Sequence, residues 1–210
     1  MTKEIDNPIL MEDINRPFNL FKSILHHAKR DNKTKRSVFK VKESPRRFKL
    51  LSDIEVFTFY NALNRKRDKL LFKMLYLTGA RIQEILDLEI ESVSVPDASE
   101  LIGVFQQIKS KGKYRDLYAP MSLIEELDSF ILEERNRTDT EHSYIFISEQ
   151  PQNLGNHLTY RGIYEVFKSV QKKIGIIFNF HDLRHTYISS LVESGMDISI
   201  IRILAGHEHI

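Results

Sequence analysis

The chemistry in this chain is concentrated in the stretch HDLRHTYISSLVESGMDISIIRILAGHEHI, residues 181–210. His181, Arg184 and His185 are spaced i, i+3 and i+4, so a helix puts them on one face. The same stretch carries Leu183, Ile188 and Leu191, which draw that helix into a core and partly bury its cations. A buried cation needs an anionic partner. A further helix starting near Asp197 ends at Leu204-Ala205-Gly206, with Gly206 suited to the left-handed stop position and His207 directly after it. These residues read as half of a phosphate-binding site. Arg81 follows the turn Thr78-Gly79-Ala80. Glu84, one helical turn on, can hold the arginine's planar fork. Lys109, Lys111 and Lys113 surround a turn at Gly112.

The elements that must position these groups are legible in the same residues. Ser52-Asp53-Ile54-Glu55 reads as a capping box opening a helix. Residues 69–77 continue as an apolar helix that Thr78-Gly79 ends. Residues 81–88, RIQEILDL, form a short helix with Ile82, Ile85 and Leu86 inward. Residues 92–95, 101–108 and 114–119 read as short strands, the last two joined by a hairpin at Lys111-Gly112-Lys113. Ser122 to Glu125 reads as a second capping box, opening a helix that runs to about Arg135. Residues 144–147 read as a strand, and 159–173 as a helix with Ile163, Val166, Phe167 and Val170 inward. The expected class is α+β, mainly helical, with a small antiparallel sheet.

Upstream, residues 17–30 read as one helix and residues 31–50 as a basic linker broken by Pro45. One helix cannot bury its own apolar face. Residues 1–45 are therefore expected to be the remnant of an N-terminal helical region plus linker, and residues 46–210 the main domain.

Composition narrows the classes. The 210 residues are 41% hydrophobic and 29% charged, as in an ordinary water-soluble globular protein. No apolar run reaches the roughly 18 residues of a membrane span, and the start, MTKEIDNPIL, does not read as a signal peptide. The expected setting is cytoplasmic, with no membrane association. The absence of cysteine excludes disulfides, thiolate metal sites and cysteine nucleophiles. Net charge is only +2, but the cations are segregated. One run spans Lys29, Arg30, Lys33, Lys35, Arg36, Lys40, Lys42, Arg46, Arg47 and Lys49; others are Arg65-Lys66-Arg67 and Lys109, Lys111, Lys113, Arg115. Basic patches on a nearly neutral chain suit a DNA footprint, and equally a set of solvated faces.

Each residue also has a plainer reading. Arg81 with Glu84 suits a structural pair at a helix start, Lys111 a surface turn, and Arg184 beside Asp182 an ion pair. His181 suits a satisfied ring at a helix start, and His185 a structural position. A metal hydrolase built on His181, His185, His207 and His209 would use a known i, i+4 ligand spacing, but Arg184 puts positive charge on that face.

TGARIQEIL, the lysine hairpin, HDLRHTYISSLVESG and LAGHEHI occur in that order, and over residues 45–210 the chain resembles the catalytic domain of the tyrosine recombinases, or phage integrase family. The resemblance implies that Arg81, Lys111, His181, Arg184 and His207 are catalytic and that Glu84 braces Arg81, with Lys109 and Lys113 as alternatives to Lys111. It implies site-specific recombination of duplex DNA through a 3′-phosphotyrosyl intermediate, no metal or cofactor, and tetramers on DNA. The family's tyrosine follows the position of His207 by a short distance, and no residue up to Ile210 fills it. Tyr187, within the motif, is expected to pack in the core. The chain as given is thus expected to lack its nucleophile, to be monomeric in isolation and inactive in cleavage. A truncated DNA-binding or regulatory form of an integrase is the alternative.

Overall fold

The structure, a computed structural model, describes residues 48–93, 102–110 and 113–206. The expected helix over 17–30, most of the basic linker and the boundary near residue 45 lie outside them. Phe48–Ile210 forms one compact unit.

Helix α1 (Asp53–Ala62) opens as its sequence dictates: Ser52 accepts from the Glu55 amide and Glu55 accepts from the Ser52 amide. Helix α2 (Lys66–Thr78) begins earlier than the expected residue 69 and ends where Gly79 takes a left-handed φ of 60°. Its residues Leu70, Leu71, Phe72, Met74 and Leu75 are all buried. Helix α3 (Ile82–Leu86) is one short turn and a half, shorter than the expected 81–88.

The sheet has two strands among the described residues, β1 (Ile102–Ser110) and β2 (Lys113–Pro120), paired antiparallel. The register shifts between Phe105 and Ile108. There Gln107 takes a φ of 53°, and its amide donates to Asp116 Oδ1 at 3.0 Å. The expected strand at 144–147 does not form, and the one expected at 92–95 lies partly outside the described residues. Ile90–Ser92 is a 3₁₀ turn, and only Val93 bridges to Phe105. Residues 144–147 make single bridges, Tyr144 to Glu89 and Ile147 to His157, although Ile145 and Phe146 are fully buried. Residues 144–147 are apolar enough for a core but make isolated bridges rather than a ladder.

Helix α4 (Met121–Glu133) starts directly off β2, with Pro120 as its cap residue and no side-chain cap. Ser122, expected to cap it, lies inside the helix. The proline's fixed φ already suits a helix entrance, so the chain turns earlier than the Ser-x-x-Glu pattern suggests. Helix α5 (Tyr160–Ile174) has Thr159 as its cap, accepting from the Gly162 amide at 3.1 Å. Ile163 and Phe167 are buried, with Val166 and Val170 half-buried against the core. Helix α6 (Phe180–Glu193) packs on α2 and on helix α7 (Ile198–Ala205), which ends at left-handed Gly206. A cluster of Phe59, Phe72, Phe167 and Phe178 joins α1, α2, α5 and the entrance to α6. The observed class is mainly helical with a small antiparallel sheet.

Candidate active site

Helix α6 carries His181 and Arg184, and its start is fixed from two sides. Asn179 accepts from the Asp182 amide at 3.1 Å while Asp182 accepts from the Asn179 amide at 2.8 Å. The segment before α1 then lies along the same turn. The Lys49 amide donates to Asp182 Oδ1 at 3.2 Å, and the Leu51 amide to Thr186 Oγ1 at 3.0 Å. Phe48 stacks on the His185 ring at 4.5 Å between centroids. Asp182 is thus a cap and anchor rather than the ion-pair partner of Arg184, and His185 is held as part of the wall. His181 is exposed.

Arg184 is only 5% exposed. Its Nη1 donates to the Gly79 carbonyl at 2.6 Å, and its Nη2 to the Ala205 carbonyl. It therefore ties the C-terminal ends of α2 and α7 to the middle of the site. Both carbonyls belong to last-turn positions whose oxygens have no partner inside their helix. Burial pushes the Arg184 guanidinium down to about 10, with Arg81 and Arg115 adding repulsion and Glu84 opposing it.

Arg81 stands at the entrance to α3. Its amide donates to Glu84 Oε2 at 2.8 Å and its Nη1 to Glu84 Oε1 at 2.7 Å, with Glu84 only 2% exposed. The pair is both the structural brace and the presentation of a half-buried guanidinium. Arg115 of β2 reaches the same carboxylate, Nη2 to Oε2 at 2.6 Å and Nε to Oε1 at 3.3 Å. Its Nη1 donates to the Leu204 carbonyl at 3.1 Å. Among the described residues, three guanidinium groups thus converge around one buried carboxylate.

The structure brings Arg81, Glu84 and Arg184 into this cluster, with His181 on the same helix as Arg184. Lys111 and His207 lie outside the described residues, as does His209. Lys109 is exposed on β1 opposite Tyr114; Lys113 opens β2. Arg115, read in the sequence only as part of a basic patch, is the residue sequence reasoning missed. Strand alternation carried the signal: Leu117 and Ala119 are buried on β2, and Arg115 shares their parity.

Tyr187 is a packing residue. A Cβ added at Gly79 would lie 2.2 Å from Tyr187 Cδ1, so the ring sits directly on the α2 stop. Burial raises the Tyr187 hydroxyl above its ordinary pKa, against the pull of Arg115 and Arg184. Among the described residues no group of three or more His, Asp or Glu side chains is placed to hold a metal ion. No helix there is long and apolar enough to cross a membrane.

Residues 49–210 match the phage integrase family. The chain is 28% identical over 195 residues to transposase A of transposon Tn554 from Staphylococcus aureus, covering 90% of this chain and 54% of that protein. It is 31% identical over 143 residues to tyrosine recombinase XerA from Pyrococcus furiosus, covering 67% of this chain and 46% of XerA. A crystal structure of XerA recombinase has a TM-score of 0.65 at 24% identity, covering 99% of this chain and 77% of that one. The chain belongs to the phage integrase family, and its fold is that of a tyrosine recombinase catalytic domain. It spans about half the length of the curated relatives it matches.

Proposed function

We propose that this domain holds the scissile phosphate of duplex DNA and polarises it for strand exchange in site-specific recombination. The observation that carries the reading is the cluster itself: Arg184, buried and depressed to about 10, beside Arg81, Arg115 and a single buried Glu84. Two planar forks, Arg81 and Arg184, suit the non-bridging oxygens, on which charge builds in the transition state. A tyrosine oxygen attacks phosphorus, the bond to the 5′-oxygen breaks, and a 3′-phosphotyrosyl link stores the bond energy for a second strand's 5′-hydroxyl. In this reading His181 takes the phenol's proton and Lys111 protonates the leaving 5′-oxygen. Lys109 and Lys113 are the alternatives for that lysine, and His207 donates a hydrogen bond to the phosphate. No step requires a metal or cofactor. In this reading the attacking tyrosine is assigned to no position within residues 1–210, and the packing of the Tyr187 ring on Gly79 supports leaving Tyr187 out of that part.

The family match supports recombination, and a solved relative, XerH recombinase, is described as bound to its difH substrate. At 22% identity and a TM-score of 0.64, that likeness concerns the fold. Assembly into tetramers on DNA, with the isolated chain monomeric, belongs to the same proposal.

The test is duplex binding by fluorescence anisotropy across a salt series. Wild-type affinity should fall steeply with salt as counterions are released. Arg184→Gln should weaken binding evenly across sequences and lower the salt slope by about one. Salt-insensitive or absent binding by the wild type would overturn the reading. In a polypeptide that also carries the attacking tyrosine, Arg184→Gln should cut covalent capture of a nicked duplex by about 10²–10³-fold. Capture in neither form would leave a DNA clamp without cleavage.

A further inference from the structure

We infer that Arg115 is a positioning residue of this site, coupling the strand that leaves the lysine hairpin to both the Arg81 brace and the end of α7. The inference rests on the phosphate-site reading above and adds a residue to it.

The guanidinium of Arg115 is used in three directions at once. Nη2 and Nε grip the two oxygens of Glu84, and Nη1 holds the Leu204 carbonyl. Glu84 in turn grips the amide and the guanidinium of Arg81. Arg115 also fills the space over Gly206: a Cβ there would stand 2.7 Å from its Cδ and Nη1. Gly206 takes a φ of 61° and precedes His207 directly. One side chain therefore joins α3, β2 and the α7 stop.

Its place explains why an arginine is required. A fixed planar fork can serve a carboxylate and a carbonyl together, whereas an ammonium on a flexible stem can satisfy only part of that set at one time. Three of the five N–H groups of Arg115 are committed to Glu84 and the Leu204 carbonyl, and its Nε–Nη2 edge is taken by the carboxylate. Arg115 acts through Arg81 and through the backbone at Gly206.

The experiment compares wild type with Arg115→Lys, Arg115→Gln, Glu84→Gln and the double variant Glu84→Gln/Arg115→Gln in the full chain. The readouts are duplex DNA affinity, thermal midpoint, and amide exchange at Arg81 and Gly206. The expected result is that Lys and Gln each weaken DNA binding by about tenfold, so retained charge gives no rescue. The double variant should be no weaker than the worse single variant, as residues of one network are non-additive. Exchange should accelerate at both amides in Arg115→Lys.

Wild-type affinity in Arg115→Lys would overturn the inference, since charge alone would then suffice. A lowered thermal midpoint with wild-type affinity in the folded protein would overturn it too, leaving only a structural role. Unchanged exchange at either amide would remove the coupling itself. Failure of the wild type to bind DNA would sink the phosphate-site reading instead. The two amides, whose exchange needs no DNA, then decide the part of Arg115 independently.

Discussion

Arg184 shows how one side chain can be both costly to fold and useful. Its guanidinium is buried, and its hydrogen bonds go to two carbonyls, neither of which carries a full charge. The folded-state pKa of about 10 lies below the ordinary guanidinium value, so folding disfavours the cation. The unfolded chain holds that proton more tightly. This contribution therefore destabilises the fold below about pH 10 and is relieved as pH rises above it. An anion in the site reverses the sign by stabilising the cation. Sulfate should thus raise the melting temperature near neutral pH, and the increment should shrink as pH rises through about 10. Differential scanning fluorimetry over a pH and sulfate grid checks this. An increment that persists above that range, or that is equal in Arg184→Gln, would assign it to non-specific salt effects.

Gly79 is the second residue-scale constraint. Its φ of 60° and its contact with the Tyr187 ring leave no room for a side chain. Gly79→Ala should destabilise the domain by about 1–3 kcal/mol in urea unfolding, through left-handed strain and a displaced ring. It should also weaken DNA binding, because the Gly79 carbonyl that moves is the one Arg184 holds. A stability loss with unchanged affinity would show that the carbonyl does not set the arginine's position.

At the scale of elements, what the sequence revealed depended on whether the deciding contact was local. The cap of α1 and the glycine stops of α2 and α7 are local, and they read correctly from Ser52, Gly79 and Gly206. The Ser122-x-x-Glu125 pattern misled because a proline one residue before the helix set the entrance instead. The stretch at 144–147 has strand composition. A ladder, however, needs a neighbour, and no neighbour is encoded in that stretch. The site divides the same way. Arg81–Glu84 and His181–Arg184 are legible as helix spacings. Arg115 depends on meeting Glu84, 31 positions away, and a carbonyl 89 positions away, so only the fold exposes it. The caps give a direct test. Thr159→Ala should cost about 1 kcal/mol by removing the acceptor for the Gly162 amide. Ser122→Ala should change stability by less than about 0.5 kcal/mol. Equal losses in urea titrations would restore Ser122 as a cap.

At the scale of the whole domain, the aromatic core and the site share elements, so stability and binding are linked. Phe59 is fully buried and meets Phe72 at 5.0 Å, Phe167 at 5.0 Å and Phe178 at 4.7 Å between ring centroids. Phe178 immediately precedes Asn179, the cap that starts the helix carrying His181 and Arg184. Phe59→Ala should therefore cost about 3–5 kcal/mol, a large share of the roughly 5–15 kcal/mol that holds a typical domain. None of its atoms reaches the arginine cluster in the contacts described, so the folded fraction should bind duplex DNA with wild-type affinity. Mass action then predicts the recovery. DNA at about a hundred times its dissociation constant should return roughly 2.7 kcal/mol. That is most of the loss at the lower end of the range, and the unfolding midpoint in urea should move back accordingly. Arg184→Gln introduced into the same background should abolish much of that recovery at equal DNA concentration, since its affinity is lower. If DNA restores both proteins equally, the arginine cluster is not where the duplex is held.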